Sequence, residues 1–172
     1  LVVATPLLDD PNFWRTVVLI CSHDEEGSFG LILNRPMEAA ALDLVPDWRG
    51  FVAPPQVVFS GGPVDQLQGF ALARSDHQNE EPWWQPVAPG VGLLGFDGDP
   101  TTLEHVRIFA GYAGWGAGQL EAEVAEEAWF VVAAETGDAF TIEPDRLWHE
   151  VLGRQRGELR LYRHFPLDPR DN

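Results

Sequence analysis

Lysine is absent from this sequence of 172 residues, and all eleven basic residues are arginine. Without lysine, neither a Walker A phosphate loop nor a Schiff-base enzyme can be built. The chain carries 27 acidic residues against 11 basic ones, and its formal net charge is -16. Nucleic-acid phosphates are bound by clustered cations. The charge therefore disfavours direct nucleic-acid binding, because it repels polyanions at long range.

Cysteine is nearly absent, with Cys21 as the single example. One thiol cannot form an internal disulfide, and it leaves too few soft ligands for a structural zinc site. No apolar run approaches the roughly 20 residues that a membrane-spanning helix needs. The single cysteine fits a reducing compartment. We predict no membrane segment, no metal and no cofactor.

The common catalytic patterns are also missing or incomplete. Residues 90–95 match G-x-G-x-x-G, but prolines precede the string and a polar turn follows it, so it predicts a loop entering a strand rather than a dinucleotide site. Cys21 and His23 would point to one side of an ideal strand, as a nucleophile and base require. Because Cys21 lies in the most apolar run, we interpret it as a packing residue. We predict no catalytic residue.

Aromatic side chains, in contrast, are plentiful. Seven tryptophans and ten phenylalanines can each bury about 150–250 Å². A globular chain of this length buries roughly 70% of its unfolded surface. We therefore expect a single domain, residues 1–172, around one core.

Two apolar segments near the start predict a β-hairpin. Phe13–Ser22 is rich in β-branched residues and predicts a buried strand. The polar turn at His23–Gly27 leads to a second strand at Ser28–Asn34. Pro36 is expected to end that strand, because proline cannot donate to a central ladder.

Further short strands follow. Val57–Ser60 predicts a strand, with Gly69–Arg74 as its expected neighbour. Residues 75–89 predict a surface loop in which Trp83 and Trp84 either mark a partner surface or fold back on the core. The remaining strand predictions are Val91–Phe96, Val106–Ala113 and Trp129–Ala133.

Two helices are predicted late in the chain. Gly118–Ala128 carries an apolar stripe every four residues, with glutamates largely off it. The second helix begins near Pro144 and stops at Gly153, and the tail from Arg154 is expected to be extended. Hairpins first and helices late favour an α+β fold with seven or eight strands and two or three helices.

Three strings stand out from this pattern. The first, residues 30–36, ends in Asn-Arg-Pro. The second, residues 59–64, contains a Gly-Gly-Pro turn whose backbone amides could hold an anion. The third, residues 111–121, is rich in glycine and leads into a helix. Arg35 either pairs with a buried carboxylate or faces a ligand. The candidate ligand-binding or structural residues are Asn34, Arg35, Gly61, Gly62, Gly111, Tyr112, Gly114, Trp115, Gln119 and Glu121.

Arginines cluster at the carboxyl end. They are Arg154, Arg156, Arg160, Arg163 and Arg170. The cluster either neutralises the acidic body of the protein or forms a local patch for a polyanion, and we favour the first interpretation.

The sequence resembles the YqgE/AlgH family of bacterial proteins over nearly its whole length. The resemblance rests on Ala4-Thr5-Pro6, Asp9-Asp10-Pro11 with Phe13, Thr16-Val17-Val18, the turn ending at Gly27, Gly30-Leu31 with Asn34-Arg35-Pro36, Gly61-Gly62-Pro63-Val64, and 111–121 with Trp129. It implies an α+β fold with a mixed, mainly antiparallel sheet curled into a pseudo-barrel. It also implies a cytoplasmic bacterial protein, and some members carry a transcriptional-regulator label.

Three functions remain open at this level. We favour a non-enzymatic binding or regulatory module that contacts a protein partner or small ligand. The second is an enzyme of unrecognised type, whose site would join Asn34, Arg35, Gly61-Gly62 and the helix start at Gly118. The third is a transcriptional regulator that binds nucleic acid directly. The same residues would serve equally well as ties between strands and as close-packing turns.

Overall fold

The structure is a computed structural model that describes residues 1–75 and 81–165. The described strands are β1 (Val2–Ala4), β2 (Val17–Asp24), β3 (Gly27–Ile32), β4 (Pro36–Ala40), β5 (Val57–Ser60), β6 (Val64–Arg74), β7 (Trp84–Ala88), β8 (Val91–Leu94), β9 (His105–Gly116) and β10 (Trp129–Val131). The described α-helices are α1 (Gln119–Ala125) and α2 (Leu147–Gly153). No helix among the described residues is long and apolar enough to cross a membrane.

The strands form one strongly curled sheet in the order β10-β1-β2-β3-β9-β6-β8-β7. Ladders between the described strands are antiparallel, except that β5 runs parallel to β9 and carries β4 on its other side. The curl brings β7 close to β2, so the sheet forms a half-barrel. The predicted α+β class, with a mixed and mainly antiparallel curled sheet, is confirmed.

The β2–β3 hairpin is confirmed, but the prediction that its first strand begins at Phe13 is wrong. Residues 11–15 form a turn in which Arg15 has a positive φ of 52°, and β2 begins at Val17. The apolar character of this turn reflects side chains that pack elsewhere, such as Phe13 against Trp115 and Trp129. Pro36, expected to end a strand, instead begins β4, an exposed edge strand where a missing amide costs little.

The pairing predicted for Val57–Ser60 is also wrong. β5 and β6 do not pair with each other, because they lie on opposite edges of the long strand β9, where both pair with Phe109 and Ala110. Residues 84–88, predicted as loop, form strand β7 at the end of the sheet. The string 90–95 behaves as predicted, since Gly90 turns the chain into strand β8.

Both predicted helices are confirmed, with Leu120 and the pair Trp148 and Leu152 buried. The prediction that the tail from Arg154 is extended is wrong, because Gly157–His164 forms a 3₁₀ helix. Its aromatic residue Tyr162 packs on Phe130 with ring centroids 5.0 Å apart. This tertiary contact favours the helical turn over the extended form.

Candidate functional site

Asn34 lies just past β3, where it ties two segments of the chain together. Only 4% of its surface is exposed. Its Oδ1 accepts a hydrogen bond from the Val17 amide at 2.9 Å, and its Nδ2 donates to the Arg15 carbonyl at 2.9 Å. Both ends of the side-chain amide are therefore used inside the protein.

The Arg35 side chain binds backbone rather than a carboxylate. Its guanidinium donates to the carbonyl of Asn34 at 3.3 Å and to the carbonyl of Trp14. Burial lowers the pKa of Arg35, and the nearby Asp145 carboxylate partly opposes that shift. Arg35 thus holds the turn at residues 11–15 against the end of β3.

The Gly61-Gly62 turn crosses the bare backbone of β9. The Gly61 amide donates to the Ala110 carbonyl at 2.8 Å. A Cβ atom at Gly62 would lie 2.1 Å from the Tyr112 carbonyl carbon, and Gly111 adopts a φ of 69° beside the Gly62 carbonyl. These glycines let two backbones touch, and one of the amides considered for an anion is already used.

The start of α1 is organised around the carboxylate of Glu123. Its Oε2 accepts hydrogen bonds from the indoles of Trp115 at 2.9 Å and Trp129 at 2.8 Å. Its Oε1 accepts from Gln119 Nε2 at 2.8 Å, while Gln119 Oε1 accepts from the Gly116 amide at 3.0 Å. Gln119 and Trp115 therefore belong to one network that fixes α1 on β9.

Other residues of the glycine-rich string lie at its margin. Glu121 is exposed and lies 3.7 Å from His23 Nε2. A Cβ at Gly114 would lie 3.1 Å from the Tyr112 ring. Gly116 pairs with Gly27 at the far end of β3 from Asn34, and at roughly 3.3 Å per residue this separates them by about 20 Å. The fold thus places the start of α1 and the Asn34–Arg35 pair at opposite ends of β3.

Cys21 is a packing residue in a β-bulge. The ladder between β2 and β3 shifts register between Ile20 and Ser22, which breaks the alternation expected to align Cys21 with His23. Burial raises the pKa of the Cys21 thiol to about 12, so the thiolate is not available near neutral pH. His23 instead bonds Ser28 Oγ through Nδ1 at 2.7 Å.

Arg15 connects the N-terminal turn to α2 and to the carboxyl-terminal segment. Its Nη1 donates to His149 Nε2 at 3.2 Å, and its Nη2 donates to the Phe165 carbonyl at 2.8 Å. Its guanidinium also lies 4.6 Å from the centroid of the Trp148 ring. Because Arg15 can only donate, His149 must be neutral to accept this bond.

Stability is therefore expected to fall in mild acid. Desolvation lowers the pKa of His149, and the charges of Arg15 and Arg146 lower it further. Below about pH 6.5 the unfolded chain binds this proton more readily than the native chain, so the free energy of unfolding decreases as pH falls toward the native pKa. Urea unfolding at pH 7.5 and 5.5 should show this loss, and His149→Gln should reduce it.

The matched control is His105→Gln. This substitution also removes one imidazole, but the imidazole is exposed and does not lie beside Arg15. His105→Gln should retain the full pH dependence. Equal pH dependence in wild type and His149→Gln would contradict the assignment.

An open groove of about 500 Å³ is lined by β6, β8, the start of β7 and the segment before β7. We call it the aromatic groove. Four rings line it, those of Phe70, Trp83, Trp84 and Phe96. The remaining lining residues are Gln68, Gly69, Ala71, Pro82, Gln85, Leu93, Leu94, Gly95 and Asp97.

Three of these rings pack closely against glycine residues. A Cβ at Gly92 would lie 2.4 Å from the Trp84 ring, one at Gly98 would lie 2.9 Å from the Trp83 ring, and one at Gly69 would lie 3.2 Å from the Phe96 ring. Phe96 also stacks on Trp48 with centroids 5.8 Å apart. The rings therefore lie against backbone that leaves them little room to turn.

The polar side chains of the groove differ from the predicted site residues. Gln68, Gln85 and Asp97 make no side-chain hydrogen bond or ion pair with any described residue. By contrast, Asn34, Arg35, Gln119 and Glu123 are all engaged inside the protein. The groove thus combines fixed apolar surface with unused polar groups, which is typical of a ligand site.

Sequence reasoning identified only part of this groove. Trp83 and Trp84 were expected either to mark a partner surface or to cover the core, and they pack against the core cluster around Trp48 and Val106. The structure thus agrees with the second alternative, and the same two rings also line the groove. Nothing in the sequence pattern linked them to Phe70 and Asp97, which the fold brings beside them.

One of the carboxyl-terminal arginines is engaged in an internal ion pair. Arg154 pairs with Asp138 at 2.5 and 2.7 Å and approaches Glu135 at 3.4 Å. This pairing agrees with a role in neutralising the acidic body. Arg170 lies outside the described residues.

Comparison with known proteins gives a consistent assignment. The AlgH-like family model matches residues 1–160. A UPF0301 protein of Streptomyces coelicolor is 48% identical over 177 residues, covering 98% of this chain and 92% of that protein. A UPF0301 protein of Thermobifida fusca is 43% identical over 182 residues, with the same two coverages.

Solved structures show the same likeness. The crystal structure of a protein from Corynebacterium diphtheriae superimposes with a TM-score of 0.89 at 29% identity, covering 95% of this chain and 90% of that one. The solution structure of the AlgH protein from Pseudomonas aeruginosa gives a TM-score of 0.70 at 29% identity, with coverages of 93% and 89%. The chain therefore belongs to the AlgH-like family.

Proposed function

We propose that this protein is a non-enzymatic, cytoplasmic binding module whose binding face is the aromatic groove and whose ligand is a segment of another protein. One observation carries the proposal: the polar side chains of the groove are unused, while the other conspicuous polar side chains hold the fold together. The exposed side chains of Gln68, Gln85 and Asp97 make no hydrogen bond or ion pair with any described residue. A ligand can satisfy them without breaking any internal contact.

The shape of the groove supports a peptide ligand. A volume of about 500 Å³ lies within the range of roughly 300–1,000 Å³ that is usual for ligand sites. The groove is open rather than enclosed, so an extended chain can lie along it and place one or two side chains between the rings. Rings that are already packed lose little conformational entropy on binding.

The predicted catalytic alternative has less support. Asn34 and Arg35 lie about 20 Å from the start of α1, and each already binds backbone. Direct nucleic-acid binding is opposed by the net charge of -16, because phosphate binding depends on clustered cations. A regulatory role through protein contacts agrees with the groove.

The test uses the indole N–H signals of the tryptophans in ¹⁵N-labelled protein. The probes are capped pentapeptides, acetyl-Gly-X-Gly-X-Gly-amide, with X as Leu, Tyr, Gln or Arg. At least one peptide should shift the signals of Trp83 and Trp84 but leave those of Trp115 and Trp129 in place. The latter two indoles are held on Glu123 and serve as internal controls.

Variants assign the binding to the groove. Phe96→Ala should weaken the responding peptide at least threefold, because it removes one wall. The matched control is Leu67→Ala, since Leu67 is 99% exposed and lies outside the groove. The proposal is overturned when no peptide shifts the groove indoles, or when both variants bind like wild type.

A further inference from the structure

Resting on the proposed function, we infer that the aromatic groove selects a cationic side chain, that of an arginine carried on an extended segment of the partner protein. The chemistry is that of an organic cation held between aromatic faces and a carboxylate.

The groove lining carries charge of one sign only. Asp97 supplies a carboxylate, and none of the described lining residues is Arg or His. Asp97 also has no ion pair or side-chain hydrogen bond with any described residue. An unpaired carboxylate beside apolar rings attracts a cation, which would gain a charge-assisted hydrogen bond there.

The Asp97 carboxylate and the Trp83 side chain both approach Gly95. A Cβ at Gly95 would lie 2.6 Å from Asp97 Oδ1 and 3.7 Å from the Trp83 Cβ. The two groups therefore flank the same bare stretch of backbone. A cation over an aromatic face within about 6 Å is attracted by the ring, most strongly when it is desolvated, and tryptophan is the best such ring.

Arginine fits this lining better than lysine does. A guanidinium is planar, stacks on aromatic rings and presents five donors. Besides the carboxylate of Asp97, the side-chain carbonyls of Gln68 and Gln85 are available as acceptors. A lysine ammonium is more strongly hydrated and cannot stack, so it should bind more weakly.

The rest of the protein reinforces the selection. The net charge of -16 draws cations toward the surface and raises their association rate at low ionic strength. Several arginines that could compete for the site are held elsewhere, Arg15 by His149, Arg35 by backbone and Arg154 by Asp138. The charge of the protein therefore complements a basic segment.

The experiment compares acetyl-Gly-Arg-Gly-Arg-Gly-amide with the same peptide carrying citrulline, which has nearly the shape of arginine but no charge. Wild-type protein should bind the arginine peptide at least tenfold more tightly, with the shifts centred on the indoles of Trp83 and Trp84. The lysine peptide should fall between the two. Raising NaCl from 20 to 300 mM should weaken the arginine peptide and leave the citrulline peptide unchanged.

Two variants separate a local contact from a general charge effect. Asp97→Asn should reduce the preference for arginine over citrulline to less than threefold. Glu126→Gln changes the net charge by the same amount, at an exposed position at the carboxyl end of α1. This variant should retain the full preference for the arginine peptide. Equal effects of the two variants would show non-specific charge attraction and would overturn the inference.

The remaining outcomes are equally decisive. Equal binding of the arginine and citrulline peptides, weakened in both cases by Phe96→Ala, overturns the cation inference and leaves the proposed function standing. Absence of any shift with every peptide overturns both. Spermidine that binds the same indoles as tightly as the arginine peptide would identify a free polyamine as the ligand and overturn the assignment to a protein segment.

Discussion

Replacing Gly62 with alanine is expected to destabilise the protein by more than about 4 kcal/mol, a loss seen only where a substitution breaks a specific contact. The new Cβ would lie 2.1 Å from the carbonyl carbon and 2.2 Å from the carbonyl oxygen of Tyr112, and 2.3 Å from the Ala113 nitrogen. These are backbone atoms of the central strand β9, so no side chain can turn away. The φ of 155° at Gly62 adds backbone strain.

The measurement is urea unfolding followed by far-ultraviolet circular dichroism. Because a protein domain is stable by only roughly 5–15 kcal/mol, the variant should unfold at a much lower urea concentration or remain unfolded in buffer. Gly61→Ala should behave similarly, since its Cβ would lie 2.2 Å from the Gly111 oxygen at an ordinary φ.

Gly137→Ala is the matched control for both variants. A Cβ at Gly137 would meet no atom within 4 Å, and its φ is -69°. This substitution should change the free energy of unfolding by less than about 1 kcal/mol. A Gly62→Ala protein as stable as the Gly137→Ala protein would show that the crossing at β9 is wrongly described.

Replacing Arg107 with methionine is expected to cost about 3–5 kcal/mol, because three carbonyl groups lose their donor. Only 1% of Arg107 is exposed. Its guanidinium donates to the carbonyls of Ala139 at 3.0 Å, Pro54 at 2.6 Å and Thr141 at 2.9 Å. Arg107 thus joins β9 to two loops that are distant in sequence.

The environment of this arginine explains why methionine is the informative replacement. Desolvation lowers the pKa of Arg107 to about 10, so the folded protein bears a cost for keeping the charge buried. Methionine removes that cost and retains packing against Phe59, whose ring centroid lies 4.4 Å from the guanidinium carbon. The remaining loss then reports the carbonyls that are left without a donor.

Arg146→Met is the corresponding control. Arg146 is two-thirds exposed in its side chain and pairs with Glu143 at 3.3 Å on the surface. Such pairs contribute about 0–1 kcal/mol. Thermal and urea unfolding should therefore separate the two variants clearly, and a loss below about 1 kcal/mol for Arg107→Met would contradict the assigned hydrogen bonds.

Prediction from sequence succeeded where local patterns decide the structure. The apolar stripe of α1 and the face of α2 predicted both helices, and β-branched segments predicted most of the strands. It failed at residues 11–15, because an apolar turn whose Phe13 packs on distant rings has the composition of a strand. It failed again at β5, since strand composition does not say which strand is the neighbour.

The candidate site residues show the same difference between what the sequence predicts and what only the fold decides. The strings around Asn34 and Gly61 were visible in the sequence, but their roles as ties and close contacts depend on groups 17 to 50 residues away. Gln119 acts locally, on Gly116 and Glu123. Neither the burial of Arg107 nor the half-buried carboxylate of Glu123 was signalled by the sequence, because each is held by carbonyls or indoles that only the fold brings around it.

The amino-acid order by itself determined the charge, the apolar segments, the helical periodicity and the likeness to one protein family, since each depends on residue types and short spacings. The tertiary structure alone decided which glycines touch which backbone, which polar side chains are consumed by internal bonds, and which are left in the aromatic groove. Those outcomes depend on distances between residues far apart in the chain, and such distances exist only after the sheet has curled.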